Sequence, residues 1–355
     1  MNDQLKRSRK STAPTFIDLF CGAGGMSTGF EMAGFRPVLA IDNWEDALDT
    51  YKFNKPNVEV LCADLSIVSP KAIKEQYHIS DIDVIIGGPP CQGFSVAGKR
   101  IIDDVRNKLY KSFVEFVSVF QPKVFVMENV PNILSIGGGI IRDSILSDFS
   151  KLGYKVKYQI LTASEYGVPQ NRRRAIFVGL KSGNDFYFPQ PTVSSPVTSK
   201  QALSDLPEES VEEGGAYPSL PQSEYQAMMR QGSVGIYNHS ATIHTEQTKR
   251  IIAMVPDGGN YTCLPKELQA TRKVHIAWTR LHSDKPSITI DTGHNHHFHY
   301  EYNRVPTARE SARLQSFPDT YRFLCGKTSQ LKQIGNAVPP LMAKSIAEQI
   351  KQQAL

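Results

Sequence analysis

The stretch TFIDLFCGAGGMSTGF, Thr15 to Phe30, decides the reading of the chain. Its first six residues are apolar or β-branched apart from Asp18, as a mostly buried strand requires. Gly22, Gly24 and Gly25 break the run, and MSTGFEMAGF continues as a helix that stops at Gly34. Glycines between a strand and a helix permit a tight turn and close approach of backbone to a ligand. Asp42 closes the next apolar run, PVLAID, where a carboxylate can accept hydrogen bonds from ribose hydroxyls. The spacing is not G-x-G-x-x-G, which weakens a phosphate-binding reading. Two readings stay open on these residues. One is a site for a nucleoside without phosphate, such as S-adenosylmethionine. The other is an ordinary strand–helix turn in which Asp42 caps the following helix.

Outward from this stretch the same alternation continues to Leu180. VEVLCAD, DVIIGG, KVFVMEN, KVKYQILTA and RRAIFVGL read as strands, and WEDALDTYKFN, NKLYKSFVEFVSVFQ and GGIIRDSILSDFSKLGY as helices. Strand–helix alternation of this kind specifies an α/β fold, a sheet with helices on both faces. After Leu180 the character changes. Residues 184–235 are rich in Pro, Ser, Glu and Gly, and residues 236–305 carry basic, aromatic and histidine positions. This part reads as a smaller, loop-rich second domain. TARESARLQSFPDTY looks helical and turns at Pro318, and AVPPLMAKSIAEQIKQQ is a final helix with Pro in its first turn. The expected division is a disordered basic arm over 1–14, a discontinuous domain of 15–183 with 322–355, and a second domain of 184–321.

The 355 residues are 40% apolar and 21% charged, an ordinary globular composition. No run approaches the roughly 20 apolar residues that span a bilayer, and no secretory signal opens the chain. Cysteines at 21, 62, 91, 263 and 325 form no close pairs, which fits a reducing cytosol and leaves each thiol free. A net charge of +5 is compatible with a polyanionic partner without requiring one.

The stretch DVIIGGPPCQGFSVAGKR, Asp83 to Arg100, ends a strand on two prolines and a cysteine. In open α/β sheets ligands bind beyond the carboxyl ends of the strands, so Cys91 falls on the ligand side. Pro89 and Pro90 stiffen the backbone before it. On these residues Cys91 is a positioned thiol or a small buried apolar group. VFVMENVPNIL ends another strand with Glu128, an acid–base candidate on the same edge. In QNRRRAIFVG, side chains alternate faces, so Arg172 and Arg174 point one way and Arg173 the other. Paired guanidiniums suit a phosphate or a polar ring edge, unless they are a solvated strand end. GFSVAGKR reads as a mobile loop whose Lys99 and Arg100 touch phosphates or water.

Together, DLFCGAGG, GPPCQGFS, MENV, QNRRR, RESARLQSFPD and GNAVPP, in this order from residue 16 to about 350, resemble the DNA (cytosine-5) methyltransferase family of bacterial type. The resemblance implies a Rossmann-like S-adenosylmethionine-dependent methyltransferase sheet and a variable target-recognition segment at about 185–300. It implies that the Cys91 thiolate adds to carbon 6 of a flipped-out cytosine, making carbon 5 able to accept a methyl group. A protonated Glu128 would bond ring nitrogen 3 and the exocyclic amine, and Arg172 and Arg174 the carbonyl oxygen and flanking backbone. For the cofactor it assigns Phe20, Gly22 and Gly24 to the methionine end, Asp42 to the ribose and Asp64 to the adenine amine. Pro90, Leu109, Asn336 and Val338 complete that pocket. The position after the ribose acid, often bulky in the family, is Asn43 here with Trp44 next, so the adenine contact falls on one of the two.

Gln92, Ser95, Lys99, Arg100 and Gln170 are assigned to the DNA side, and Arg272, Lys273, Arg280 and Arg304 are DNA contacts by composition alone. The histidines of GHNHHFHY lack zinc-site spacing, and no metal is expected. The expected partner is duplex DNA. A cognate restriction endonuclease would act on the same site without forming a complex. The expected protein is a cytoplasmic monomer. The alternatives are an RNA cytosine methyltransferase on the same core, a silent DNA-binding relative, and a nicotinamide-dependent enzyme. The long variable segment, the intact Cys and Glu, and the glycine spacing argue against these three in turn.

Overall fold

In the computed structural model of the chain, the described residues are 13–90, 107–269, 278–290, 292 and 297–355. Cys91, Gln92, Ser95, Lys99, Arg100, Arg272, Lys273, His294, His296 and most of the N-terminal arm lie outside them.

Seven strands form the central sheet. They are β1 (Thr15–Leu19), β2 (Arg36–Asp42), β3 (Glu59–Cys62), β4 (Val84–Gly87), β5 (Val124–Asn129), β6 (Lys155–Thr162) and, after a two-residue β7 (Gln170–Asn171) that pairs elsewhere, β8 (Arg173–Leu180). The order is β3-β2-β1-β4-β5-β8-β6, parallel from β3 to β5, with β8 antiparallel to both its neighbours. The chain runs outward from β1 to β3 and then returns to place β4 on the other side of β1. That reversal opens a crevice at the carboxyl edge, where ligands bind in such sheets.

Strand alternation sends side chains to two apolar layers. Ile17, Ile85, Phe125 and Met127 join a core with Phe113, Phe116 and Phe149. Phe16, Val84, Ile86, Val124 and Val126 join another with Phe30, Met342 and Ile346. The first layer is covered by α3 (Pro70–Gln76), α4 (Asn107–Phe120) and α5 (Ile140–Lys151), and the second by α1 (Gly25–Met32). Helix α2 (Glu45–Asn54) packs Leu48 and Tyr51 on Ala40 of β2. Helix α3 escaped the sequence reading although its start is signalled: the Ser69 hydroxyl caps Ala72 N and Pro70 follows.

The second region contains α6 (Ser199–Leu203), α7 (Glu224–Arg230), α8 (Glu246–Ala253), α9 (Lys266–Gln269), the short strands β9 (Thr279–Arg280), β10 (Ser287–Ile288) and β11 (His297–Phe298), then α10 (Ala308–Leu314) and α11 (Lys327–Asn336). The last element, α12 (Pro340–Ala354), packs beside α1. A Cβ on Gly29 would lie 2.4 Å from the Pro340 carbonyl, so glycine sets how close the two helices come. Leu203, Tyr225, Met229, Leu314, Phe317 and Phe323 form the core of the second region, and Ala23 of the glycine loop belongs to it.

Buried arginines hold this region together. Arg313 donates to both oxygens of Asp319 and to Asp205, at 2.6–3.3 Å. Arg309 donates to the carbonyls of Tyr237, Pro318 and Tyr321. The same arrangement corrects three of the expected DNA contacts. Arg280 is buried and spends its guanidinium on the carbonyls of Val255, Ile252 and His299 and on Asn303. Arg304 is buried in a bidentate pair with Glu310. Gln170 is fully buried, donating to Leu314 O and Gln315 and accepting from Ile290 N. A guanidinium or amide saturated inside the protein has nothing left for DNA.

Candidate active site

The carboxyl edge of the sheet carries the predicted residues in an order set by the strands. Asp64 follows β3, Asp42 ends β2, the glycine loop follows β1, Pro89 and Pro90 follow β4, Glu128 lies at the end of β5, and Arg174 lies at the start of the reversed β8. One cavity of about 780 Å³ is lined by all of them, with Arg172, Leu109, Asn336 and Val338. That volume is in the range of small-molecule sites.

At the cofactor end, Phe20 leaves β1 with φ 58°, a left-handed backbone rare outside glycine, and Gly22 and Gly24 follow with φ 50° and 78°. Asp42 holds this turn: one carboxylate oxygen accepts from Gly22 N at 2.8 Å, the other from Trp44 N at 2.9 Å. Burial raises the Asp42 carboxyl above its ordinary value, and the two amides oppose the shift. Gly24 does not line the cavity. It faces away, and a Cβ there would lie 2.8 Å from the Tyr51 ring. The Tyr321 hydroxyl donates to Ala23 O at 2.5 Å and ties the loop to the second region. Asn43 and Trp44 both reach the wall, and the Lys332 ammonium lies 4.5 Å from the Trp44 ring centroid.

Asp64 is exposed, and the Ser66 amide and hydroxyl hold its carboxyl below the usual range. Three carboxylates, Asp18, Asp42 and Asp64, therefore surround the glycine loop. Such a lining repels a pyrophosphate. It accepts hydroxyls, an amine and a cationic tail, the groups of S-adenosylmethionine, so the residues present fit that cofactor.

At the reactive end, Glu128 pairs with Arg174 at 2.7 Å. The same carboxyl lies against Gly88, where an added Cβ would meet it at 3.0 Å. The Asn129 amide donates to Pro89 O at 2.9 Å, fastening the proline elbow to β5. Arg172 and Arg174 both face the cavity while Arg173 is exposed, as the alternation predicts. Arg172 is 2% exposed, its Nε has no partner among the described residues, and burial together with Arg174 depresses its guanidinium to about 9. A buried donor without a protein partner beside a cavity is open to a ligand or a water.

Sequence reasoning missed Asp18, Thr289, Ile290, Thr292 and Lys332, all on the same wall. A carboxyl inside the apolar run FIDLF was a signal for the first. Thr289 and Ile290 arrive from the second region because β10 pairs with β7, a contact that no local pattern announces. Among the described residues, no three metal-ligating side chains converge. No helix among them is long and apolar enough to cross a membrane.

A doubly wound sheet with an acid-lined cavity at its carboxyl edge, beside a Glu–Arg pair, is the arrangement of an α/β enzyme with its ligand site at the topological switch point. Comparison with known proteins narrows the class. Residues 14–352 match the C-5 cytosine-specific DNA methylase family. The chain is 41% identical to the type II methyltransferase M1.HphI of Haemophilus parahaemolyticus, covering 95% of this chain and 86% of that protein. It is 43% identical to the type II methyltransferase M.DdeI of Desulfomicrobium norvegicum, covering 94% and 88%. A solved structure described as a DNA modification methyltransferase encoded within an E. coli prophage superposes with a TM-score of 0.80 at 30% identity, covering 96% of this chain and 99% of that one. The chain belongs to the C-5 cytosine-specific DNA methylase family and is a DNA (cytosine-5) methyltransferase.

Proposed function

We propose that the chain methylates carbon 5 of a flipped-out cytosine in one short duplex DNA site, with S-adenosylmethionine as donor, through a covalent adduct at Cys91. We read it as the modification half of a restriction–modification pair, which is what the type II names of its relatives suggest. The observation that carries this reading is the single cavity in which the carboxylate-ringed glycine loop and the Glu128–Arg174 pair share a wall.

Asp42 and Asp64 would take the ribose and the adenine amine, and Phe20 and Gly22 the methionine end. Bound there, the cofactor supplies an electrophilic methyl group. Pro90, the residue before Cys91 in sequence, lines the cavity, so a thiolate entering beside it meets the edge of a base held by Glu128. The Cys91 sulfur would bond to carbon 6 and leave carbon 5 electron-rich enough to take the methyl group the cofactor would supply, the methyl–sulfonium bond breaking so that a thioether leaves. A protonated Glu128 would donate to nitrogen 3 and accept from the exocyclic amine, offsetting charge developing on the ring, while Arg174 would fix the carboxyl and reach the carbonyl oxygen. A base then removes the carbon 5 proton, the carbon–sulfur bond breaks, and Cys91 is restored. Residues 184–321 would read the target. Thr289, Ile290 and Thr292 of that region already reach the cavity, which supports the assignment.

Bisulfite sequencing of DNA from cells expressing the chain or its Cys91→Ala variant tests this. One short motif should be fully methylated with the wild type and unmethylated with the variant. Methylation that survives in the variant removes the thiol from the mechanism, and no modified motif overturns the reading.

A further inference from the structure

Asp18 is a carboxyl buried in β1, 2% exposed, yet on the cavity wall. The transfer steps above do not use it. Its Oδ2 accepts from the Ser27 hydroxyl at 2.6 Å, and Ser27 meets the Tyr51 hydroxyl at 2.8 Å. Among the described residues, the titratable groups around it come from β2, the glycine loop, α2 and its end, and the second region. They are Asp42 of β2, Cys21 of the loop, Tyr51 of α2, Lys55 just after α2, and Tyr321 of the second region. Lys55 is the cation among them, and it is already ion-paired with Glu31. Asp42 adds a like charge. The other cations of the wall are spent elsewhere or lie apart: Lys332 sits over Trp44, and Arg172 and Arg174 lie beyond β4 beside Glu128. Among the described residues an ionised Asp18 is thus a buried charge short of a counter-ion, and burial with the nearby Asp42 raises its carboxyl to about 7.

Resting on the cofactor reading above, we infer that Asp18 is a specificity-determining residue: its carboxylate selects the sulfonium-bearing S-adenosylmethionine over the uncharged-sulfur product, S-adenosylhomocysteine. Methyl transfer converts the sulfonium to a thioether and removes one positive charge from the cavity. The attraction that held the cofactor falls with it, and the product leaves a site that has become more costly for a carboxylate. Both ligands keep the amino acid moiety, so the difference between them isolates the sulfonium.

The test is calorimetric and needs no DNA. Binding of each ligand to the full chain is measured between about pH 5.5 and 8.5 in two buffers of different ionisation enthalpy. For the wild type, the preference for S-adenosylmethionine should rise about tenfold through this range, the equivalent of one pKa unit of coupling. Its binding should release a proton that S-adenosylhomocysteine binding does not. Asp18→Asn keeps an acceptor for Ser27 and should flatten the preference and abolish the proton release. Ser27→Ala removes a donor that favours the carboxylate and should move the midpoint to higher pH. A preference that is flat with pH in the wild type, or equally steep in Asp18→Asn, overturns the assignment. Failure of the wild type to bind either ligand overturns the cofactor reading and this inference with it.

Discussion

Arg172 and Arg174 on the cavity wall and Arg304, Arg309 and Arg313 in the second region are the same residue doing opposite things. The second group is saturated: Arg313 faces two aspartates, Arg304 a bidentate glutamate, and Arg309 three carbonyls. The first group holds capacity in reserve, with Arg172 Nε unpartnered among the described residues and Arg174 bound to a carboxyl that itself faces the cavity. A fastener is an arginine whose donors are consumed, and a ligand-binding arginine is one whose donors are not. Burial does not separate the two groups, since Arg172 is as buried as the fasteners.

The largest expected effect breaks the fasteners. Arg313→Met takes the main partner from buried Asp205 and Asp319, leaving Arg230 beside the first and Arg309 and Tyr217 beside the second, and should cost about 3–5 kcal/mol, lowering Tm by roughly 10 °C. A variant as stable as the wild type would end the distinction. Glu128→Gln tests the other side. It should lower kcat about 10²- to 10³-fold while Tm moves by no more than about 2 °C.

Asp18→Asn should act on stability as well as selection. The folded Asp18 carboxyl, near 7, lies above its ordinary value of 3.8, so its contribution is intact below about pH 4 and is lost progressively as pH rises from there through about 7. The variant should therefore gain on the order of 4 kcal/mol over the wild type at pH 8 without cofactor, and less than half of that at pH 5, in thermal melts. Equal gains at both pH values would mean the carboxyl titrates as an ordinary one. The smallest effect sharpens the correction to the DNA contacts. Arg280→Gln, which removes the charge, should cost about 1–2 kcal/mol of stability and leave the salt dependence of DNA binding unchanged. A slope reduced by about one unit would return Arg280 to the interface.

The strand–glycine–helix reading of Thr15–Phe30 was legible because period-two apolar runs and glycine breaks are local signals, and so were the α/β class and the paired facing of Arg172 and Arg174. The fates of Arg280, Arg304 and Gln170 were not: Gln170 meets Leu314, 144 residues on, Arg280 meets the Val255 carbonyl across a loop, and Arg304 meets Glu310 of α10 only because the turn before that helix folds back. Helix α11 was missed as well. It lies between two turns, with polar residues over most of its length.

By itself the sequence determined which chemical groups stand at the ends of which strands, since alternation and glycine breaks act over a few residues. The tertiary structure alone decided which polar groups are spent and which are free. A hydrogen bond is made or left unmade by a partner far away in the chain, and only folding brings that partner within reach.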